Sequence, residues 1–312
     1  MIVTLDAYSG RPNPAWRLST KDTSNLMQRV AGKTLASSDS ELADSGILGP
    51  RGFVIEASGD DQLPPGVPNS FRVAGSGALP GDQAGGNAFS MAESQEISQF
   101  LLRTGRHVVE EDLADYIQKS AARLTAPPQD MSPWPEPADP APDEDEEPAQ
   151  EAVQDLPIVA IPACVIANTA YNPGFWNTPA VQPKNNCYNY AMNYRSDTFA
   201  QPGRISGHQW TAINCANVGT AANWDGCKTF CSGSNKNVAL VIAPGPGFVD
   251  YHWYRRHSEG FWGHKPGGTA ARNTDNRGRI INGTTLTPAN CDRGPYTIFC
   301  GYRFSPTGMR VR

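Results

Sequence analysis

Residues 126–156 hold eight prolines and ten Asp or Glu residues, with no Lys or Arg and Trp134 as the only aromatic side chain. Prolines remove backbone donors and the carboxylates repel one another, so the stretch cannot bury enough apolar surface to offset the entropy of ordering. It predicts an extended or disordered acidic linker between two folded units, residues 1–125 and 157–312. The rest of the chain suits two modest cores: 39% of its 312 residues are hydrophobic, and its 30 glycines and 27 prolines are too many for a helical bundle. No apolar run approaches the roughly 18 residues a membrane span needs. The opening Met1-Ile2-Val3-Thr4-Leu5-Asp6 lacks the basic and apolar regions of a secretory signal, so any export is expected by a route without a cleavable one. A cytoplasmic location stays open.

Charge divides along the same boundaries. The first unit has 11 basic against 15 acidic residues and the second has 15 against 6, giving net charges of -4 and +9 around a linker of -10. A basic second unit favours anionic partners such as cell-wall polymer, with nucleic acid less expected; the acidic linker reads first as a solvated spacer, the alternative being a strand that lies across the basic unit and screens it.

The first unit reads as a small α+β domain. Met1 to Tyr8 alternates as a strand and stops at the turn residues Ser9-Gly10-Arg11-Pro12-Asn13-Pro14, a loop expected to fix chain direction rather than do chemistry. Ser19 or Thr20 caps a helix to Val30, Gly52 to Ala57 forms a strand, and helices follow from Ser90 or Met91 to Thr104 and from Val109 to Leu124. On the last helix Leu113, Tyr116, Ile117, Ala121 and Leu124 share one face.

All seven cysteines lie beyond the linker. Zinc would need a second tight pair beside Cys227 and Cys231, so disulfides suit this loop-rich unit better, and an odd number leaves one thiol over. Cys187 is the candidate for that thiol. Asn185-Asn186 precede it as caps and Tyr188 to Tyr194 lacks Gly and Pro, which places it in the first turn of a short helix, where terminal amides stabilise a thiolate. Cys291 and Cys300 bracket a turn and strand that a disulfide could pin to the sheet.

Further along, Val238 to Ala243, Val249 to Arg256 and Phe261 to His264 read as a three-stranded meander. With the second turn centred near Ser258, His252 would face His264 and Tyr254 would face Trp262 on one side of the sheet. A helix-borne Cys187 against that side would complete a nucleophile, a base and an orienting group. Two facing imidazoles could also take a metal with Asp250 or Asp275, without supporting ligand spacing; Asp275 otherwise belongs to a tight turn at Asn273 to Gly278.

The stretch from His252-Trp253-Tyr254-Arg255-Arg256 to Gly263-His264-Lys265-Pro266-Gly267, together with Cys187, resembles the NlpC-type cell-wall endopeptidases of the papain-like superfamily. The resemblance spans roughly Asn185 to Gly267. It implies a papain-like α+β catalytic unit with an antiparallel sheet, Cys187 as nucleophile, His252 as general base and His264 as its orienter, with the Cys187 amide holding the oxyanion and no cofactor. Asn186-Cys187-Tyr188-Asn189 stands where that family has Asp-Cys-Ser-Gly, and a long cysteine-bearing stretch separates helix from sheet. Three functions follow: a thiol hydrolase acting on amides of cell wall or, as a toxin-like effector, of protein; a deamidase or transamidase with the same machinery; or, without catalysis, a disulfide-stapled module that binds glycan or polyanion through aromatic loops bearing Trp176, Trp210, Trp224, Trp253 and Trp262.

Overall fold

The computed structural model describes residues 1–35, 47–59, 61, 63–73, 89–124 and 162–312. The predicted linker, and with it the alternative of a contact between linker and basic unit, lies outside the described residues. Within them the protein is a mixed α+β structure with two sheets.

The first sheet is antiparallel, in the order β2 (Ala15–Arg17), β1 (Ile2–Asp6), β3 (Gly52–Glu56), β4 (Ser70–Val73). Alternation along these strands sends Val3, Leu5, Phe53, Ile55, Phe71 and Val73 to one buried face. Helices α1 (Thr20–Val30), α2 (Met91–Thr104) and α3 (Glu111–Leu124) belong to the same unit. Ser19 caps α1 by accepting from the Asp22 amide, and Ser90 with Glu93 forms a full capping box on α2, so both predicted starts lie where the side-chain oxygens satisfy orphan amides. Leu113 and Ile117 are buried on α3 as expected.

The second sheet runs β5 (Cys164–Ile166), β6 (Gly233–Pro244), β7 (Val249–Arg256), β8 (Trp262–His264), with β9 (Ile298–Pro306) paired to β6. All its pairings are antiparallel except β5 with β6. Val238 to Ala243 is apolar throughout because β6 is buried on both sides. Val238, Leu240 and Ile242 join a core with the helices α4 (Cys187–Met192) and α5 (Cys215–Trp224), whereas Ala239, Val241 and Ala243 join the core of the first unit. One hydrophobic cluster therefore runs from Val3 and Leu5 through Tyr8 to Tyr254, Trp262 and Tyr296. The second sheet has the first unit on one face and α4 on the other.

The loop at Ser9 to Pro14 locks this arrangement. Ser9 and Gly10 amides donate to Asp250 Oδ2 at 2.6 and 3.1 Å, the Arg11 amide to Oδ1 at 3.0 Å, and the Tyr296 hydroxyl to Oδ2 at 2.6 Å. Gly10 must be glycine, since a Cβ there would collide with the Tyr251 ring.

Disulfides form as expected and Cys187 is free, but there are two bridges rather than the three that a single spare thiol implies. Cys164–Cys231 and Cys215–Cys300 are disulfides, while Cys187, Cys227 and Cys291 are free and buried. Cys300 staples α5 to β9, and the three remaining thiols are parts of hydrophobic cores. Among the described residues no helix is long and apolar enough to cross a membrane.

Candidate functional site

Cys187 opens α4 as the sequence predicts. Asn186 caps the helix by accepting from the Tyr188 and Asn189 amides, and Asn189 returns a bond to the Asn186 amide. The surrounding polar side chains are committed to architecture. Asn186 Nδ2 donates to the Gly10 and Ala200 carbonyls, Asn189 Nδ2 to the Tyr194 carbonyl and Ser196 hydroxyl, and Asn185 Nδ2 to the Val181 carbonyl and the Asp197 carboxylate. The Gly10 carbonyl also accepts from Gln201 and from the Tyr251 hydroxyl, so the first unit's loop covers the start of α4.

The hairpin forms with its turn centred one residue later than expected. Tyr254, not His252, pairs with His264, and Arg256, not Tyr254, pairs with Trp262. The hydrogen bonds from the His257 amide to Phe261 and from the Gly260 amide to His257 set this longer tip. Because the partner shifts by two residues, the faces are preserved. The two histidines meet diagonally, His252 Nε2 lying 2.9 Å from His264 Nδ1.

Their protonation follows from the partners. His264 Nε2 lies 2.8 Å from the Thr274 carbonyl and so donates to it, leaving Nδ1 to accept from His252 Nε2. The His252 ring packs against Tyr254, His264 and Tyr296, and its Nδ1 has no hydrogen-bond partner among the described residues. Burial, reinforced by His264 and Arg51, holds the His252 pKa well below its ordinary value.

The structure does not bring Cys187 to these imidazoles. Alternation along β7 sends Tyr251 and Trp253 to the α4 face, where Cys187 packs, and His252 and Tyr254 to the face covered by the first unit. The thiol is fully buried, its Sγ 4.0 Å from the Tyr251 carbonyl. Burial pushes its pKa well above the ordinary range, and the Asp250 carboxylate adds to the rise. A nucleophile and base on opposite sides of one strand cannot exchange a proton directly. His252 and His264 thus form a pair on one face of β7, and Cys187 packs on the other.

Lys265 and Asp275 are also structural. Lys265 Nζ is buried and donates to the carbonyls of Gln182, Asn185 and Gly267. Asp275 accepts from the Arg277, Arg279 and Asp292 amides and pairs with the Arg279 guanidinium. Among the described residues no group of three or more His, Cys, Asp or Glu side chains is placed to hold a metal ion. Of the five tryptophans expected in aromatic loops, Trp176, Trp253 and Trp262 are buried, Trp210 is half-buried and Trp224 is exposed. The sequence reading missed α5 and the surface built on it; the signal was Asn214, an N-cap accepting from the Asn217 amide.

No protein-family model and no solved structure matches the chain. It is 41% identical over 143 residues to insoluble matrix shell protein 1 of Ruditapes philippinarum, a match that spans 45% of this chain and 92% of that protein. With so much of the relative covered at that identity, the chain belongs to the family of insoluble matrix shell protein 1.

Proposed function

We propose that the protein is a non-catalytic, disulfide-stapled binding module of an extracellular matrix. The observation that carries this reading is the separation of Cys187 from His252 across β7, with both side chains fully buried. Among the described residues the thiol is sealed from solvent, and neither imidazole of the histidine pair shares its face of β7. The polar residues that resemble catalytic motifs hold the helix cap, the hairpin and the junction between units. Two disulfides suit an oxidising compartment, and the name of the related shell protein describes an insoluble matrix constituent. The basic second unit and an exposed aromatic surface supply means of attachment.

The test uses the unreduced full chain. Cosedimentation with insoluble polysaccharide or capture by an anionic polymer, unchanged by Cys187→Ala and without release of free amines from peptidoglycan or a protein substrate, is the expected result. Amine release that Cys187→Ala abolishes overturns the reading in favour of a thiol hydrolase.

A further inference from the structure

Helix α5 and the loop before it form a shallow cavity of about 420 Å³ whose lining includes His208, Gln209, Trp210, Asn214, Thr220 and Trp224. Asn217, Thr220 or Ala221, and Trp224 follow one another at helical spacing along one face of α5. Asn217 ties the loop to the helix, accepting from the Thr211 and Ala212 amides and donating to the Thr211 hydroxyl. At the far end His208 stacks on Trp224, with ring centroids 4.0 Å apart and planes within 10°. His208 Nδ1 lies 2.8 Å from the Ser206 carbonyl and must donate to it, so in the neutral ring Nε2 is left as an acceptor. The Asp225 carboxylate fixes this loop, accepting from the Gly203 and Ser206 amides and from the Ser206 and Tyr188 hydroxyls. Trp224 is nonetheless 59% exposed.

An exposed indole held rigid by a stacked imidazole costs little ordering entropy when a ligand packs on it. Hydroxyl and amide groups surround it, and Lys, Arg, Asp and Glu are absent from the cavity lining although the unit as a whole is basic. Flat apolar surface framed by neutral hydrogen-bonding groups matches a ring with apolar C–H faces and equatorial hydroxyls. We infer that this surface binds a neutral saccharide polymer, with Trp224 as the stacking platform and His208, Gln209 and Thr220 as hydrogen-bonding neighbours. The inference rests on the binding-module reading and names the ligand class of one of its surfaces.

The test is isothermal titration of the full chain with chitohexaose and with cellohexaose, with heparin as the anionic comparison and the thermal midpoint as the folding control. The expected result is binding of at least one neutral hexasaccharide, weakened at least tenfold by Trp224→Ala, less by Trp224→Phe, with heparin binding unchanged by either. Absence of binding by both hexasaccharides, or equal binding by wild type and Trp224→Ala, overturns the inference. Loss of heparin rather than saccharide binding in Trp224→Ala also overturns it, assigning the surface to polyanions. None of these results requires amide cleavage, so failure here is separable from failure of the non-catalytic reading.

Discussion

The Ser9 amide donates to the Asp250 carboxylate at 2.6 Å across 241 residues of chain. Together with the amides of Gly10 and Arg11 and the Tyr296 hydroxyl, it gives a fully buried carboxylate four donors and joins the two units at a single side chain. Burial raises the Asp250 pKa, and these hydrogen bonds oppose the rise. Asp250→Ala strands buried donors in both units, at an expected cost of about 3 kcal/mol. Urea unfolding measures it. A loss below about 1 kcal/mol would show that the junction's remaining contacts, the Gly10 carbonyl's among them, hold it without this carboxylate.

Acid should loosen the second unit through its buried histidines. His257 Nδ1 donates to the Thr169 carbonyl and Nε2 accepts from the Tyr190 hydroxyl, so both nitrogens are used in the neutral ring. Burial, followed by the Arg255 charge, lowers its pKa from 6.5 to about 4, and that of His252 falls well below 6.5. Both histidines take up protons near pH 6.5 when unfolded but remain neutral when folded. Stability is therefore full above pH 6.5 and declines as pH falls, through about pH 4 for His257 and further for His252. Each contributes up to about 1.4 kcal/mol per pH unit in its window. Unfolding free energies between pH 7 and 4 check the slope, and His257→Gln should reduce it. A flat profile in the wild type contradicts the buried neutral assignment.

The free thiols give a third prediction. Cys187, Cys227 and Cys291 are buried, and burial pushes Cys227 to about 12 and Cys291 to about 11. Iodoacetamide at neutral pH should leave all three unmodified in the native protein and label three residues in the unfolded, unreduced one. Cys187→Ala should cost about 1–2 kcal/mol, as removal of a packed core atom does. Rapid native labelling of Cys187 would be incompatible with the sealed position between α4 and β7.

Much of this architecture was legible in the sequence. Capping residues located α1, α2 and α4, and the apolar run at Val238 located β6, since these signals are local. The hairpin was legible in faces but not in register, because Ser258-Glu259-Gly260 permits more than one turn. The relation of Cys187 to His252 was not legible: helix position and strand parity are local, but which face of the strand the helix covers is decided by the remaining chain. Here Tyr251 and Trp253 offer α4 the larger aromatic surface, while Tyr296 from a distant segment packs against His252 on the other side and Tyr254 joins the core of the first unit. Helix α5 escaped notice because Cys215-Ala216-Asn217-Val218-Gly219 has little amphipathic pattern, and its Gly219 is explained only by the close approach of the Arg303 guanidinium from β9.

That approach makes the Cys215–Cys300 bond the last prediction. The disulfide closes a separation of 85 residues and ties the first residue of α5 to β9, while Arg303 donates to the Gly219 carbonyl at 3.2 Å further along the same helix. In the loop-entropy account a bridge of this span stabilises by about 4.6 kcal/mol. Replacing both cysteines with serine should lower the unfolding free energy by roughly that amount. Because α5 carries Trp224 and Asn217, the local effect should exceed the global one: amide exchange in α5 should accelerate before exchange in β6 and β7, and saccharide binding at the Trp224 surface should weaken while heparin binding persists. Uniform acceleration across the second sheet would place the bridge's contribution in the whole unit rather than in the anchoring of α5.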